Sequence, residues 1–384
     1  MTRVTFSRRA VLSLCATTLV ARGGLVRAAD DQQQNAEAER ALLRGLTFLL
    51  DQQGHDGGWH STTYGQLRGG PAVTALVLYA LSQVPPVILK PYLEVAKKGY
   101  AFFAPGLRKK GTLAAADGSL DYPTYACALW LSGRRAIKLP APEAEHEVVV
   151  DYLLAAQLTE GRGFEASSPS YGGWDLLGAG DARGITTGTN ISLAAFALEA
   201  LGNLPQPNPR IKQALKHGRT WVERCHQHDG GFAFTPEPAS LNNKAEYADK
   251  DRREPRSYGT ATCDGILALT ACGVTTKDER IRKAIQWLTE RPSLEVVPGF
   301  EQLPLEAGWQ RSLRFYYYAG LARCLKHLGL TDSLRRRRTL LEMLIRQQVR
   351  DGSWVNDSTR MREDDPLIAT SLAVVALGNL LSEG

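Results

Sequence analysis

The carboxyl of Asp264 stands in an otherwise apolar run, 260–272, with Tyr258 shortly before it and Cys263 beside it. A lone acid in such a place is either a satisfied polar residue of a helix or a positioned proton donor. Other groups able to bind or react stand at the starts of similar runs: Asp121 and Tyr125, Asn190, Arg314 and Tyr316, and Asp365. Asp365 reads best as a helix N-cap, because Pro366 follows it and proline suits the first helical position. Cys225, His226, His228 and Asp229 are all metal-donor types, yet their spacing matches no zinc pattern. No metal and no cofactor is therefore expected. Five cysteines lie beyond residue 28, irregularly spaced and without a Cys-x-x-Cys pair, which argues against a disulfide framework.

A repeat positions these side chains. Gln53-Gly54-His55-Asp56-Gly57-Gly58-Trp59 returns as Gln348-Val349-Arg350-Asp351-Gly352-Ser353-Trp354, and a third copy, from Gln227, ends in Phe232 in place of tryptophan. Each copy follows an amphipathic run with helical spacing and precedes, across a loop, a run that is apolar almost all round. Six such pairs can be traced: 37–53 with 71–81, 92–103 with 123–131, 148–158 with 190–202, 211–227 with 260–272, 281–290 with 315–328, and 340–348 with 368–381. No comparable stretch alternates with period two, so no strands are expected.

Repeated helix pairs bury in their neighbours what one pair cannot bury alone. An open solenoid keeps one face of each helix wet, whereas the second helix of each pair here is apolar on every side. The fold class expected is thus all-α, an α/α toroid of about six helical hairpins closed into a double-layered barrel, with the second helices inside. Gln53, Trp59, Gln227, Phe232, Phe300, Gln348 and Trp354 are its structural repeat residues. Trp174, which stands within a long loop, is read both as framework and as part of a ligand pocket.

The formal charge of +6 belongs almost wholly to the first 28 residues, where Arg3, Arg8, Arg9, Arg22 and Arg27 stand without an acid. The remainder holds 41 basic and 40 acidic side chains, which removes the electrostatic case for nucleic acid. Ser7-Arg8-Arg9-Ala10-Val11-Leu12 followed by a modestly apolar segment reads as a twin-arginine export signal over 1–28, with cleavage after Ala28. Residues 29–36 read as a flexible leader, 37–384 as the toroid, and the protein as exported and periplasmic, without a transmembrane span.

The Gln-x(2–5)-Gly-x-Trp pattern of the repeats resembles that of the terpenoid cyclases and protein prenyltransferases, over roughly 37–382. The exported bacterial proteins with prenyltransferase and squalene-oxidase repeats are similar too, through Ser257-Tyr258-Gly259-Thr260-Ala261-Thr262, Tyr316-Tyr317-Tyr318 and Asp365-Pro366-Leu367-Ile368-Ala369-Thr370. The resemblance implies the toroid fold. Activity is another matter: the family's Asp-x-Asp-Asp acid run falls here on Tyr258, Gly259, Thr260 and Ala261, with Asp264 one helical turn further in. The prenyltransferase zinc ligands, Asp-x-Cys and a later His, meet only the reversed Cys263-Asp264. The diphosphate-handling Asp-Asp-x-x-Asp run does not occur, and Cys272-Gly273-Val274 fails the thioester motif.

In a closed ring, the N-terminal ends of the inner helices floor a cavity and the loops before them wall it. Asp121, Tyr125, Trp174, Asn190, Tyr258, Arg314 and Tyr316 are the expected pocket residues, and Asp264 the candidate acid. The long loops 161–189 and 236–257 cover the same mouth, with Tyr171, Asp175, Asp181, Arg183, Glu246, Tyr247, Arg253 and Arg256. Three functions stay open at this level: a cyclase-like protein holding an apolar, isoprenoid-like molecule, an exported glycan-active enzyme, and a non-catalytic binding or scaffold protein. The partner is an apolar or glycan-like small molecule.

Overall fold

The computed structural model describes residues 8–110, 113, 121–140, 142–178, 184, 186, 188–237, 244, 247–249, 254–301, 303, 308–329 and 334–382. Of 8–29, 108–110, 143, 249 and 334 it describes the backbone alone. Asp181, Arg183, Glu246 and Arg253 lie outside the described residues.

Among the described residues twelve principal helices alternate between two layers, with the short helices Pro86–Leu89, Ala104–Lys110 and Trp309–Ser312 in the connections. The outer ones are α1 (Arg8–Asp51), α3 (Leu93–Ala101), α5 (Glu143–Ala156), α7 (Pro209–Arg224), α9 (Glu279–Thr289) and α11 (Leu334–Gln347). The inner ones are α2 (Pro71–Ser82), α4 (Pro123–Ile137), α6 (Ile191–Gly202), α8 (Gly259–Ala271), α10 (Arg314–His327) and α12 (Pro366–Leu381). Around the inside α2 packs on α4, α4 on α6, α6 on α8, α8 on α10 and α10 on α12, and α12 packs back on α2. That last contact closes the ring. Outside, α1 bridges the seam by packing on both α11 and α12.

Sequence pattern decides the layer. In α9 the buried residues Ile281, Ala284 and Leu288 recur every three or four positions, while Glu279 and Lys283 pair in solvent. In α12 nearly every residue from Leu367 to Leu380 is buried, since neighbours lie on all sides. Asp365 caps α12 through Leu367 N at 2.9 Å, with Pro366 following as the sequence implies.

The repeat residues hold outer to inner helix. The indoles of Trp59 and Trp354 donate to Leu49 O (2.6 Å) and Leu344 O (2.8 Å), each near the end of the preceding outer helix. The backbone N–H groups of Trp59, Phe232 and Trp354 donate to Thr74, Thr262 and Thr370 on the following inner helices, at 2.8, 3.1 and 3.0 Å. Asp56, Asp229 and Asp351 each accept from the backbone N–H two residues on, at 3.1, 3.0 and 2.9 Å. The glutamines reach further. Gln53 Nε2 donates to Gly57 O and to Val95 O in α3, and Gln348 Nε2 to Gly352 O and to Ala41 O in α1. Gln227 departs from this, since its amide donates to Cys225 O and so does not cross to the next outer helix. Phe300 is buried and stacks on Tyr258 with ring centroids 4.8 Å apart.

Gly352 shows why the motif needs glycine. Its φ of +92° is a left-handed conformation, and a Cβ there would stand 2.6 Å from Arg44 O on the neighbouring outer helix.

Three differences from expectation have plain causes. Residues 29–36, expected to be a flexible leader, belong to α1, because Asp31 pairs with Arg338 and Asn35 accepts from Arg337 at 2.9 Å. Polar side chains that look solvated in sequence here have partners on α11. A short antiparallel pair, β1 (Tyr247–Asp249) and β2 (Glu254–Pro255), occupies a loop for which no strand was expected. A fourth copy of the repeat is present: Gln157 Nε2 donates to Gly172 O and Ala214 O, and Trp174 Nε1 to Leu153 O at 2.8 Å. The inserted 158–171 segment hides it from a search by spacing. No helix among the described residues is long and apolar enough to cross a membrane.

Candidate functional site

A cavity of about 450 Å³ opens at the ring centre, at the N-terminal ends of the inner helices. Most inner helices contribute two residues one turn apart: Ala72 and Leu76, Tyr125 and Leu129, Ser192 and Phe196, Thr260 and Asp264, Ile368 and Leu372. From α10 comes Tyr316, preceded by Leu313. The threonines that receive the repeat's backbone N–H fix the register. Asp264 stands two residues after Thr262, where Leu76 follows Thr74 and Leu372 follows Thr370. The framework calls for a leucine there, and an acid replaces it.

Asp264 is buried and accepts from Tyr316 OH at 3.0 and 3.1 Å. Tyr316 OH lies 2.5 Å from Ser192 Oγ, and Tyr125 OH donates to Ser192 Oγ (3.1 Å) or Asn190 Oδ1 (3.0 Å). A chain of hydrogen bonds thus runs from Tyr125 across the cavity wall to the acid. Desolvation raises the Asp264 carboxyl from 3.8 to about 7, against the opposing pull of Arg323, Tyr316 and Lys244. Burial keeps the phenols of Tyr316, Tyr125 and Tyr258 protonated as well. Beneath this floor Arg323 pairs with Glu199 and lies over the rings of Phe196 (5.2 Å) and Tyr79 (5.6 Å).

Glu363 is the second buried acid on the cavity. Its oxygens accept from the N–H groups of Phe315 (3.0 Å) and Tyr316 (2.8 Å) and from Asn356 Nδ2 (2.7 Å), so it caps α10. Desolvation raises it to about 7 even so. Tyr316 therefore joins the two acids, its amide on Glu363 and its hydroxyl on Asp264.

Of the residues expected at the pocket, Tyr125, Asn190, Tyr258, Asp264 and Tyr316 line the cavity. Three do not. Trp174 is wholly buried in the repeat framework, Asp121 accepts from Ala72 N (2.8 Å) at the start of α2, and the charge of Arg314 acts on Glu363 from outside the lining. Sequence reasoning missed Ser192 and Phe196, which the one-turn spacing would have found, and Lys244, Arg360 and Arg362, which stand in loops without periodicity. The donor-rich stretch from Cys225 to Asp229 does not converge: Asp229 accepts from Ser257 Oγ (2.6 Å) and Trp287 Nε1 (2.8 Å), and Cys225 Sγ donates to Trp221 O. Among the described residues no group of three or more His, Cys, Asp and Glu could hold a metal ion. The larger recess of about 900 Å³ at the opposite end of the ring, between Pro85–Ile88 and Asn379–Ser382, is lined by Arg337, which donates to Asn35 Oδ1 and Leu380 O, and its acid, Glu39, is exposed.

A closed double ring with its pocket at the inner-helix N-termini defines an α/α toroid. Type II terpene cyclase MstE from Scytonema has the same fold: an apo variant superposes with a TM-score of 0.62 at 14% identity, over 91% of this chain and 99% of that one. The same enzyme in complex with geranylgeranyl dihydroxybenzoate, its substrate, gives 0.61 at 13% over the same shares. A glycosidase in complex with glucose gives 0.58 at 13%, covering 91% and 98%. No family model and no curated protein matches the sequence.

Proposed function

We propose that the ring centre binds an apolar small molecule of isoprenoid size, with Asp264 as a protonated hydrogen-bond donor on its wall. The observation that carries this is Asp264, an acid set at a leucine position of a largely apolar cavity. Its volume of about 450 Å³ lies in the usual range for small-molecule sites. About ten buried methylenes contribute roughly 8 kcal/mol, against an association cost of similar size. Alkene protonation asks for an unusually strong acid, and burial works in the opposite direction at Asp264, so binding is favoured over cyclisation.

A second reading is glycan chemistry, supported by the raised acids Asp264 and Glu363 on one cavity, since glycosidases use two carboxyls about 5–10 Å apart. The three hydrogen bonds that commit Glu363 to capping α10 count against it. The twin-arginine pattern supports export to the periplasm, which sequencing the N-terminus of the mature protein would test.

The test of the main reading is native mass spectrometry with lipid extraction, followed by titration with farnesol. We expect a bound apolar molecule or farnesol binding that Leu76→Trp abolishes by filling the cavity. Farnesol binding equally to Leu76→Trp, or to neither protein, would refute the reading.

A further inference from the structure

Lys244, half-buried, lines the cavity with its ammonium 4.5 Å over the ring of Phe234. Two more cations line the same cavity from the loop before α12: Arg360 lies over Trp309 at 5.1 Å, and Arg362 over Tyr122 at 5.1 Å and Tyr64 at 5.4 Å. Among the described residues none of the three has a carboxylate within ion-pair distance; the faces of aromatic rings take that place. Desolvation lowers Lys244 to about 8, which still leaves it protonated at neutral pH. Burial raises the two acids on the cavity, Asp264 and Glu363, to about 7, so neither is fully ionised at neutral pH.

Three cations and the converging N-terminal ends of the inner helices give the pocket a positive potential, against which stand only the two acids that burial holds back from full ionisation. A purely hydrocarbon ligand would leave Lys244 desolvated and, among the described residues, without a hydrogen-bond acceptor, which is costly for an ammonium. We propose that the ligand of the ring centre is an amphipathic carboxylate, an aliphatic or isoprenoid chain ending in one anionic head that Lys244 receives. A single head matches a single ammonium on the lining. The two arginines are already stacked at the loop end of the cavity, where they raise the local potential and guide entry. The inference rests on the apolar-cavity reading above.

Five probes on the full chain test it by titration calorimetry: palmitate with cetyl alcohol, farnesoic acid with farnesol, and farnesyl diphosphate. Each acid should bind about ten- to a hundredfold more tightly than its alcohol, the range of a charge-assisted hydrogen bond. Lys244→Met should abolish that preference and Lys244→Arg restore much of it, with far-ultraviolet circular dichroism showing that both variants are folded. Whether palmitate or farnesoic acid is the tighter tells a fatty chain from an isoprenoid one. Equal binding of acid and alcohol, a preference that survives Lys244→Met, or a diphosphate tighter than the acid overturns the proposal while leaving the apolar cavity standing. Failure of every acid and alcohol to bind removes both.

Discussion

Replacing Asp264 by leucine should make the protein more stable, by a margin that grows with pH. Leu76 and Leu372 occupy the corresponding repeat positions, so the side chain fits the framework, and Tyr316 OH keeps Ser192 Oγ as a partner. In the unfolded chain the Asp264 carboxyl ionises from 3.8 upward, whereas in the fold it does so only near 7. Stability associated with the neutral acid is complete below 3.8, declines as pH rises to about 7, and levels off above that. The loss is well under 1 kcal/mol at pH 4 and about 4 kcal/mol at pH 8, at about 1.36 kcal/mol for each pH unit between the two pKa values. Glu363 titrates in both proteins and cancels from the difference. Urea unfolding of the wild type, Asp264→Leu and Asp264→Asn, at intervals from pH 4 to pH 8, measures the margin. Parallel pH profiles, or an Asp264→Leu protein less stable than wild type at pH 8, would show that Asp264 is a structural partner of Tyr316 and not an acid held against its preference.

Gln348→Ala removes an amide that donates to both Ala41 O and Gly352 O at 2.8 Å, and should cost about 1–3 kcal/mol in the same unfolding assay. An unchanged midpoint would mean that the seam between α11 and α1 does not depend on it. Gly352→Ala combines a φ of +92° with a 2.6 Å approach to Arg44 O and should lower the melting temperature more than Gly273→Ala, where φ is +79° and nothing lies within 4 Å. Equal losses at the two glycines would leave backbone strain as the only effect. Cys127, Cys225, Cys263 and Cys324 are buried thiols outside any disulfide, and burial pushes those of Cys225 and Cys263 well up, so a thiol reagent should modify them only on unfolding. Fast reaction of the native protein at any of the four would contradict their burial.

Much of the fold was legible because its information is periodic. All six helix pairs could be placed from apolar spacing and from three copies of one turn, since the same Trp, Gln and Asp contacts recur in sequence register. The fourth copy was missed where an insertion parted Gln157 from Trp174, and the helical 29–36 segment because its partners Arg337 and Arg338 lie some three hundred residues away. Half of the site was legible in the same way: Asp264, Tyr258 and Tyr316 stand out as polar residues at inner-helix starts. Lys244, Arg360 and Arg362 have no such signature, because loops carry no period from which a facing direction can be read. Trp174 was read both as framework and as pocket because it stands in a long loop, and its buried indole, donating to Leu153 O, belongs to the framework.

The contact of α12 with α2 has a consequence for how the molecule comes apart. An open stack of repeats exposes two terminal faces, can fray from either, and tolerates the loss of a unit by becoming shorter. A ring has no such faces, and its pocket is enclosed only once the last helix of the chain has met the first inner one. A chain lacking α12 would therefore be a curved stack with two greasy flanks and no chamber, rather than a weakened version of the same receptor. Ligand retention and the seam should fail together, at one temperature and in one step.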